Sequence, residues 1–281
     1  MAKGPLTASD VTEYHEHGFV LARGLFDATE GELLGRAAKE DRELDARSFG
    51  RNDGDGHVVR LSRWNHPGDP VYGMFARCRS MVDAAEALRG GEVYHYHSKM
   101  IMKAARVGGA WAWHQDYGYW YQNGVLWPDL TSAFIAVDRA TRENGCLQVI
   151  PGSHKLGRID HVLTGDQAGE DRARVDQILT RLPLHYVEME CGDVLFFHSN
   201  LLHRSAENTS EYPRWSMICC CNAARNDPYK ESHHPRYTPL AKVPDSAILD
   251  AGLRRFADSS TDVAWLEAAR DESARSLEQT K

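Results

Sequence analysis

The chain has 281 residues, of which 42% are hydrophobic and 26% charged, and a formal net charge of −7. That length buries a sizeable core in one large domain or two small ones, and an acidic balance without a long basic run argues against a nucleic-acid binder driven by charge. No stretch approaches the ~20 apolar residues of a membrane span, and Met1-Ala2-Lys3-Gly4-Pro5 lacks the apolar run of a secretory signal, so the expected setting is cytoplasmic.

Taken in order, Thr7 to Asp10 offers helix-capping residues, with Val11, Tyr14 and His15 at helical spacing up to Gly18. Phe19 to Ala22 reads as a strand. Asp27-Ala28-Thr29 caps a second helix running to about residue 44, with Leu33, Leu34 and Ala37 on its buried side. Residues 46–57 hold two Asp-Gly pairs and read as a turn-rich, mobile loop. Pro70 to Arg89 reads as one helix. From Val93 to Met102 the aromatic and aliphatic content signals a strand. Tyr117 to Asp129 reads as an aromatic-rich loop, and Thr131 to Val137 as a strand. Asn144-Gly145 predicts a hairpin turn into Cys146 to Ile150. Residues 155–182 read as a polar loop with a short helix near Arg172–Leu182. Strands follow at Leu184–Met189, Val194–His198 and Trp215–Cys221, then a polar tail with a helix around Val263–Leu277. Helices followed by many strands, with no repeat and no clean linker, predict a mostly β domain with flanking helices. A double-sheet jelly roll with helices packed outside fits that order.

The six cysteines form no Cys-x-x-Cys pair, which suggests neither a zinc site nor a disulfide framework. The chemistry-bearing stretch is Trp111-Ala112-Trp113-His114-Gln115-Asp116-Tyr117. In a strand, residues i and i+2 share a face, so His114 and Asp116 would reach one point. Two histidines and a carboxylate on one face of an octahedron suit iron(II) and leave positions open for substrate chemistry. A third ligand would come from His198 or His203, which lie five apart and would face opposite ways on a continuous strand. Arg214, eleven residues past His203, is the residue type that grips a carboxylate bidentately, and the hydroxyl of Ser205 could add a hydrogen bond. Among the aromatic residues that follow the motif, Tyr117, Tyr119 and Trp120 are expected on the substrate side. His95, His97 and His154 are expected to bond locally, and His233-His234 to be an exposed pair.

His114-Gln115-Asp116, the run Asn144-Gly145-Cys146 with Ile150 to His154, and His203-x-Ser205-x-x-Asn208 with Arg214 together resemble the phytanoyl-CoA dioxygenase family. The resemblance runs from roughly residue 10 to 222. It implies a double-stranded β-helix core, a single domain over 1–281 with N-terminal helices to about 90 and a tail from 223, and iron(II) with 2-oxoglutarate and dioxygen as cosubstrates. It makes His114, Asp116 and His203 the metal ligands. It gives Arg214 the distal carboxylate of 2-oxoglutarate, with Ser205 assisting and Gln115, Phe134 and Lys99 near the cosubstrate. His198 would then be packed or one layer out. The implied activity is hydroxylation or a related oxidation of an unactivated C–H, with 2-oxoglutarate leaving as succinate and carbon dioxide. Related halogenases have a small residue in place of the carboxylate, so Asp116 favours hydroxylation. The Trp111–Asp116 run is similar to bacterial members that act on small molecules, which favours a small polar, amino-acid-like or natural-product substrate over a fatty acyl-CoA. The competing classes are a zinc hydrolase or cupin-like isomerase, and a non-catalytic binding module. Loops 46–57, 117–129 and 155–182 and the tail would set selectivity.

Overall fold

The computed structural model of the chain describes residues 6–164 and 167–257. Helix α1 (Ala8–His17) opens on a reciprocal cap: Thr7 Oγ1 accepts from the Asp10 N–H, and the Asp10 carboxylate accepts from the Thr7 N–H. It closes at Gly18, whose φ of 86° turns the chain straight into β1 (Phe19–Ala22). Asp27 and Glu30 cap α2 (Ala28–Lys39) in the same way. That helix stops short of residue 44 because Asp41 accepts from the N–H groups of Glu43 and Leu44 and starts a separate turn, α3 (Arg42–Ala46).

The run expected as a mobile loop is largely a hairpin, with β2 (Phe49–Asn52) pairing β3 (Val58–Trp64). Its Asp-Gly pairs form only the tip, where Asp53 accepts from the N–H groups of Asp55 and His57. The helix expected over Pro70–Arg89 is two, α4 (Val71–Arg77) and α5 (Arg79–Arg89), because Cys78 between them is extended with ψ 152°.

The central strands are β4 (Val93–Lys103), β5 (Trp111–His114), β6 (Leu130–Ala136) and β7 (Leu147–Val149), with α6 (Asp116–Gln122) where a loop was expected. The 155–182 stretch is more ordered than its polarity predicts. It carries a hairpin of β8 (His161–Thr164) and β9 (Gln167–Glu170) before α7 (Arg172–Leu179). Then come β10 (His185–Val187), β11 (Val194–His198), β12 (His203–Ser205) and β13 (Arg214–Ala223). The stretch read as a polar tail contains α8 (Ala247–Ala257). The helix expected at Val263–Leu277 lies outside the described residues.

One antiparallel sheet runs β1-β11-β6-β13-β4-β3-β2 and a second runs β10-β7-β12-β5. Side chains alternate between the faces of each strand. Met100, Met102, Ile135, Phe196 and Met217 therefore leave the outer face of the large sheet and pack on Tyr14, Leu34, Phe75, Met81 and Ile248 from the helices. From its inner face Leu61, Ile101, Phe134, Phe197 and Ile218 meet Leu147, Val149 and Val187 of the small sheet. Burial on both faces explains why β6, β11 and β13 read as nearly continuous apolar runs. These are the two facing sheets of a jelly roll with helices outside. Asn144-Gly145 does not close a hairpin, because β6 and β7 belong to different sheets. The turn instead carries the chain across the gap between them.

Candidate active site

β5 and β12 are antiparallel neighbours in the small sheet, and their register places His114 opposite His203. The imidazole centroids lie 4.0 Å apart. Asp116 is not on that strand: the strand ends at His114, Gln115 caps α6, and Asp116 is the first helical residue. His114 and Asp116 therefore do not share a strand face, yet the turn into the helix brings Asp116 Oδ1 to 3.9 Å from His114 Nε2. One ligand atom each from His114, Asp116 and His203 lies within 4.8 Å of the others, and all three residues are buried. His198 is not part of this group. Its Nδ1 accepts from the Asn200 N–H, and its ring packs beside those of Tyr14 and His154.

The donor set fits a hard divalent ion. His114 Nδ1 bonds the Ala112 carbonyl at 2.8 Å and His203 Nδ1 the Leu201 carbonyl at 2.9 Å. A carbonyl only accepts, so both Nδ1 atoms carry the proton and both Nε2 lone pairs face the triad. Burial lowers both imidazole pKa values, with the fields of His203 and Lys99 lowering His114 further and Asp116 only partly offsetting the effect at His203, which keeps the rings neutral and ready to ligate. Asp116 Oδ2 accepts from Ser132 Oγ at 2.8 Å, leaving Oδ1 towards the histidines. Ser132 went unnoticed in the sequence, although it sits two residues before Phe134 on the same face of β6. Behind it Cys220 Sγ lies 3.4 Å from Ser132 Oγ, and burial pushes that thiol up to about 12, so it stays protonated and does not compete for a metal.

A small cavity adjoins the triad. Lys99, Phe134, Ser205 and Arg214 line it with His114 and His203, as the motif predicts. Trp111, which opens the motif run, is in the wall too, and Val59, Ile101, Leu147, Phe197, Arg204 and Ile218 complete it; these six carry no motif, and only the sheet register could have found them. Arg214 is 2% exposed, donates to the Gly145 carbonyl at 2.9 Å and Ser216 Oγ at 3.1 Å, and keeps a buried Nε without a protein partner. Burial lowers its pKa to about 10, so it remains a cation at neutral pH. A buried cation with donors to spare is a receptor for an anion. Its guanidinium carbon is 5.7 Å from the Phe134 ring centroid. Gly145 serves this residue: φ is 77°, and a Cβ there would lie 2.3 Å from the Ala206 carbonyl oxygen.

Other expected residues fall elsewhere. The Gln115 amide points away from the cavity, donating to the Gly157 and Asn200 carbonyls and accepting from the Ile159 N–H. Tyr117 is buried and its hydroxyl donates to the carbonyls of Val125 and Leu126, inside its own loop. Tyr119 sits beside the triad, its ring 5.8 Å from His114. Trp120 packs edge-on to Tyr96 and His97. Lys99 Nζ is 3.9 Å from Asp116 Oδ1. His95 bonds locally, to the Asn65 carbonyl and Ser98 Oγ, and His154 Nε2 reaches the His15 carbonyl. His234 is not exposed: it is 4% accessible and stacked on Tyr96 and His97.

Residues 14–216 match the family model described as phytanoyl-CoA dioxygenase (PhyH). The L-proline trans-4-hydroxylase of Streptomyces griseoviridis is 34% identical over 205 residues, 67% of this chain and 75% of that protein. The ectoine dioxygenase of Halomonas elongata is 27% identical over 267 residues, 88% of this chain and 79% of its own. Among solved structures, EctD from S. alaskensis with 2-oxoglutarate and 5-hydroxyectoine superposes with a TM-score of 0.73 at 23% identity, covering 87% of this chain and 90% of the other. The carbocyclase SnoK from nogalamycin biosynthesis gives 0.66 at 23% identity, over 84% of this chain and 100% of its own. These two likenesses are likenesses of fold.

Proposed function

Because the chain belongs to the phytanoyl-CoA dioxygenase family, we propose that His114, Asp116 and His203 hold its iron(II) and that Arg214 anchors 2-oxoglutarate beside it. The chain is an iron(II)- and 2-oxoglutarate-dependent oxygenase that hydroxylates a small organic substrate while 2-oxoglutarate becomes succinate and carbon dioxide. The observation that carries the residue assignment is one cavity with two neutral imidazoles at its wall, a carboxylate beside them, and an anion-seeking guanidinium in the same lining.

When bound, the ion and cosubstrate supply the activation of dioxygen for which no side chain suffices. The protein's own residues do the positioning. Ala112 and Leu201 fix the two histidine tautomers, and Ser132 fixes the Asp116 carboxylate. Arg214 would take the distal carboxylate of 2-oxoglutarate, with Ser205, Lys99 and Phe134 beside it. Val59, Ile101, Leu147, Phe197 and Ile218 keep the reacting centre dry, which suppresses oxidation of anything but the positioned substrate. Gln115 acts one step back, as a strut. Tyr119 and Trp120 are the residues on the substrate side, and Tyr117 ties their helix α6 to the chain that follows it. A zinc hydrolase has no use for Arg214.

Two similar proteins are named for L-proline and for ectoine, which supports a small amino-acid-like substrate. No described helix is long and apolar enough to cross a membrane. The six cysteines are all free thiols, which supports a reducing cytoplasm. Both sheets contribute to one cavity, which supports a single catalytic domain.

The test is dioxygen-dependent conversion of 2-oxoglutarate to succinate by the iron-loaded chain, with and without pooled small metabolites, beside an Asp116→Ala control. Succinate that requires Asp116 and rises with one pool is the expected result. Iron bound but no succinate from any pool would remove the assignment.

A further inference from the structure

The inner face of the large sheet is charged at both ends. In register across its strands, Lys103 pairs with Arg214, and four residues along β4 Lys99 pairs with Arg63 of β3. His97 follows on the same face of β4, opposite Cys220, which is opposite Ser132, the residue that holds Asp116. Four residues of strand and two strand spacings put the Arg63 and Arg214 backbones about 16 Å apart. Arg63 is absent from the lining of the cavity that holds Arg214, so it belongs to whatever lies beyond the metal from 2-oxoglutarate.

The surroundings of Arg63 form a receptor. Arg63 is 5% exposed, and one of its terminal nitrogens lies 2.7 Å from His234 Nε2. A guanidinium only donates, so His234 Nε2 accepts and its proton sits on Nδ1. That Nδ1 is buried with no hydrogen-bond partner, and so is Nδ1 of His97. The two rings stack with centroids 4.9 Å apart, and Trp120 packs edge-on against His97. Burial holds both imidazoles well below their usual pKa, so the positive charge here comes from Arg63 and Lys99. A buried donor left unmatched is costly, and the group that relieves it must bring an acceptor oxygen.

We propose that the oxidised substrate carries a carboxylate, and that the buried cluster of Arg63, His234 and His97 receives it at the opposite end of the inner face from Arg214. This rests on the reading of His114, Asp116 and His203 as the metal centre and of Arg214 as the cosubstrate anchor. Lys99, 3.9 Å from Asp116, lies between the two anion sites, and its charge adds to that of Arg63 in attracting the acid end. Trp120 and Tyr119 then flank the carbon skeleton, and the C–H presented for oxidation lies at the end of the molecule remote from its acid group.

The test is calorimetric titration of the full chain, loaded with iron(II) under nitrogen, first with 2-oxoglutarate and then with small monocarboxylic acids, each matched to its primary amide. L-Proline against L-prolinamide is the first pair, followed by other amino, imino and aromatic acids. At least one acid should bind about 10- to 100-fold more tightly than its amide, the range of a hydrogen bond to a charged group. Arg63→Gln and His234→Phe should erase that preference, and Arg63→Lys, which keeps the charge if the glutamine variant does not fold, should retain part of it. Arg214→Gln should abolish 2-oxoglutarate binding and leave the preference standing. Equal binding of acid and amide, binding of amides alone, no binding of any acid, or a preference that survives Arg63→Gln would each overturn the proposal. An acid preference that depends on Arg63, with 2-oxoglutarate binding indifferent to Arg214, would fault the cosubstrate reading and uphold this one.

Discussion

Ser132 shows how much a metal site depends on residues that never touch the metal. Its hydroxyl donates to Asp116 Oδ2 at 2.8 Å, and the side chain is completely buried. Without it Asp116 would turn about its own torsions, and each rotamer that points Oδ1 elsewhere weakens ligation. Ser132→Ala should therefore lower iron(II) affinity about 10- to 100-fold, while the melting temperature of the metal-free chain moves little, because Cys220 behind it accepts a methyl neighbour. Iron titration against a chelator checks the first statement and calorimetry the second. An affinity unchanged within twofold would show that α6, and not Ser132, orients the carboxylate. The motif residues were legible in the sequence because chemistry restricts them to a few residue types. Ser132 was not, since a serine in an apolar strand signals nothing until the fold brings α6 and its Asp116 against it.

At the scale of elements, the junction of β5 and α6 is where expectation and structure part most clearly. A strand running through residue 116 would have put His114 and Asp116 on one face by alternation alone. The chain instead breaks at Gln115 and turns into a helix whose N-terminus carries Asp116, where a carboxylate also meets the helix dipole favourably. The buried Gln115 amide makes that break rigid, joining it to Gly157, Ile159 and Asn200. Gln115→Ala leaves two carbonyls and one N–H to find new partners, and should cost about 2–4 kcal/mol of stability. Urea unfolding measures it; a loss below about 0.5 kcal/mol would mean that water replaces the amide. Long periodic elements such as α5, β4 and β13 were legible because one face or both are buried in a regular pattern. The β2–β3 and β8–β9 hairpins were not, because β2, β8 and β9 are only four residues long and β3 interleaves Arg60, Ser62 and Arg63 with its apolar residues. The Asn144-Gly145 turn was located correctly and misassigned, since local turn chemistry does not encode which sheet receives the next strand.

Across the whole molecule, the buried histidines tie stability to pH. His95, His97, His114, His198, His203 and His234 all have pKa values lowered by burial, His95 to about 4. In the unfolded chain each would titrate near 6.5. A folded-state pKa below the unfolded one means that the unfolded chain takes up protons first. The contribution to stability is therefore fully present above about pH 6.5 and is lost as pH falls towards the depressed values. Each such proton costs about 1.4 kcal/mol per pH unit within that window. The metal-free chain should lose stability steeply between roughly pH 6.5 and 5, before most carboxylates titrate. The urea midpoint should fall with a slope of several protons. Removing His95, whose two ring nitrogens are held by the Asn65 carbonyl and Ser98 Oγ, should flatten that slope by about one proton. Iron(II) adds to this linkage: it binds only the neutral forms of His114 and His203, so acid releases the metal and destabilises the fold in one step. The iron-loaded chain should be the more stable form at pH 7.5, and the two forms should converge as pH approaches 5. Unfolding midpoints of both forms across that range decide the matter, and a metal-free midpoint that stays level from pH 7 to 5 would show that the buried imidazoles take up protons without unfolding.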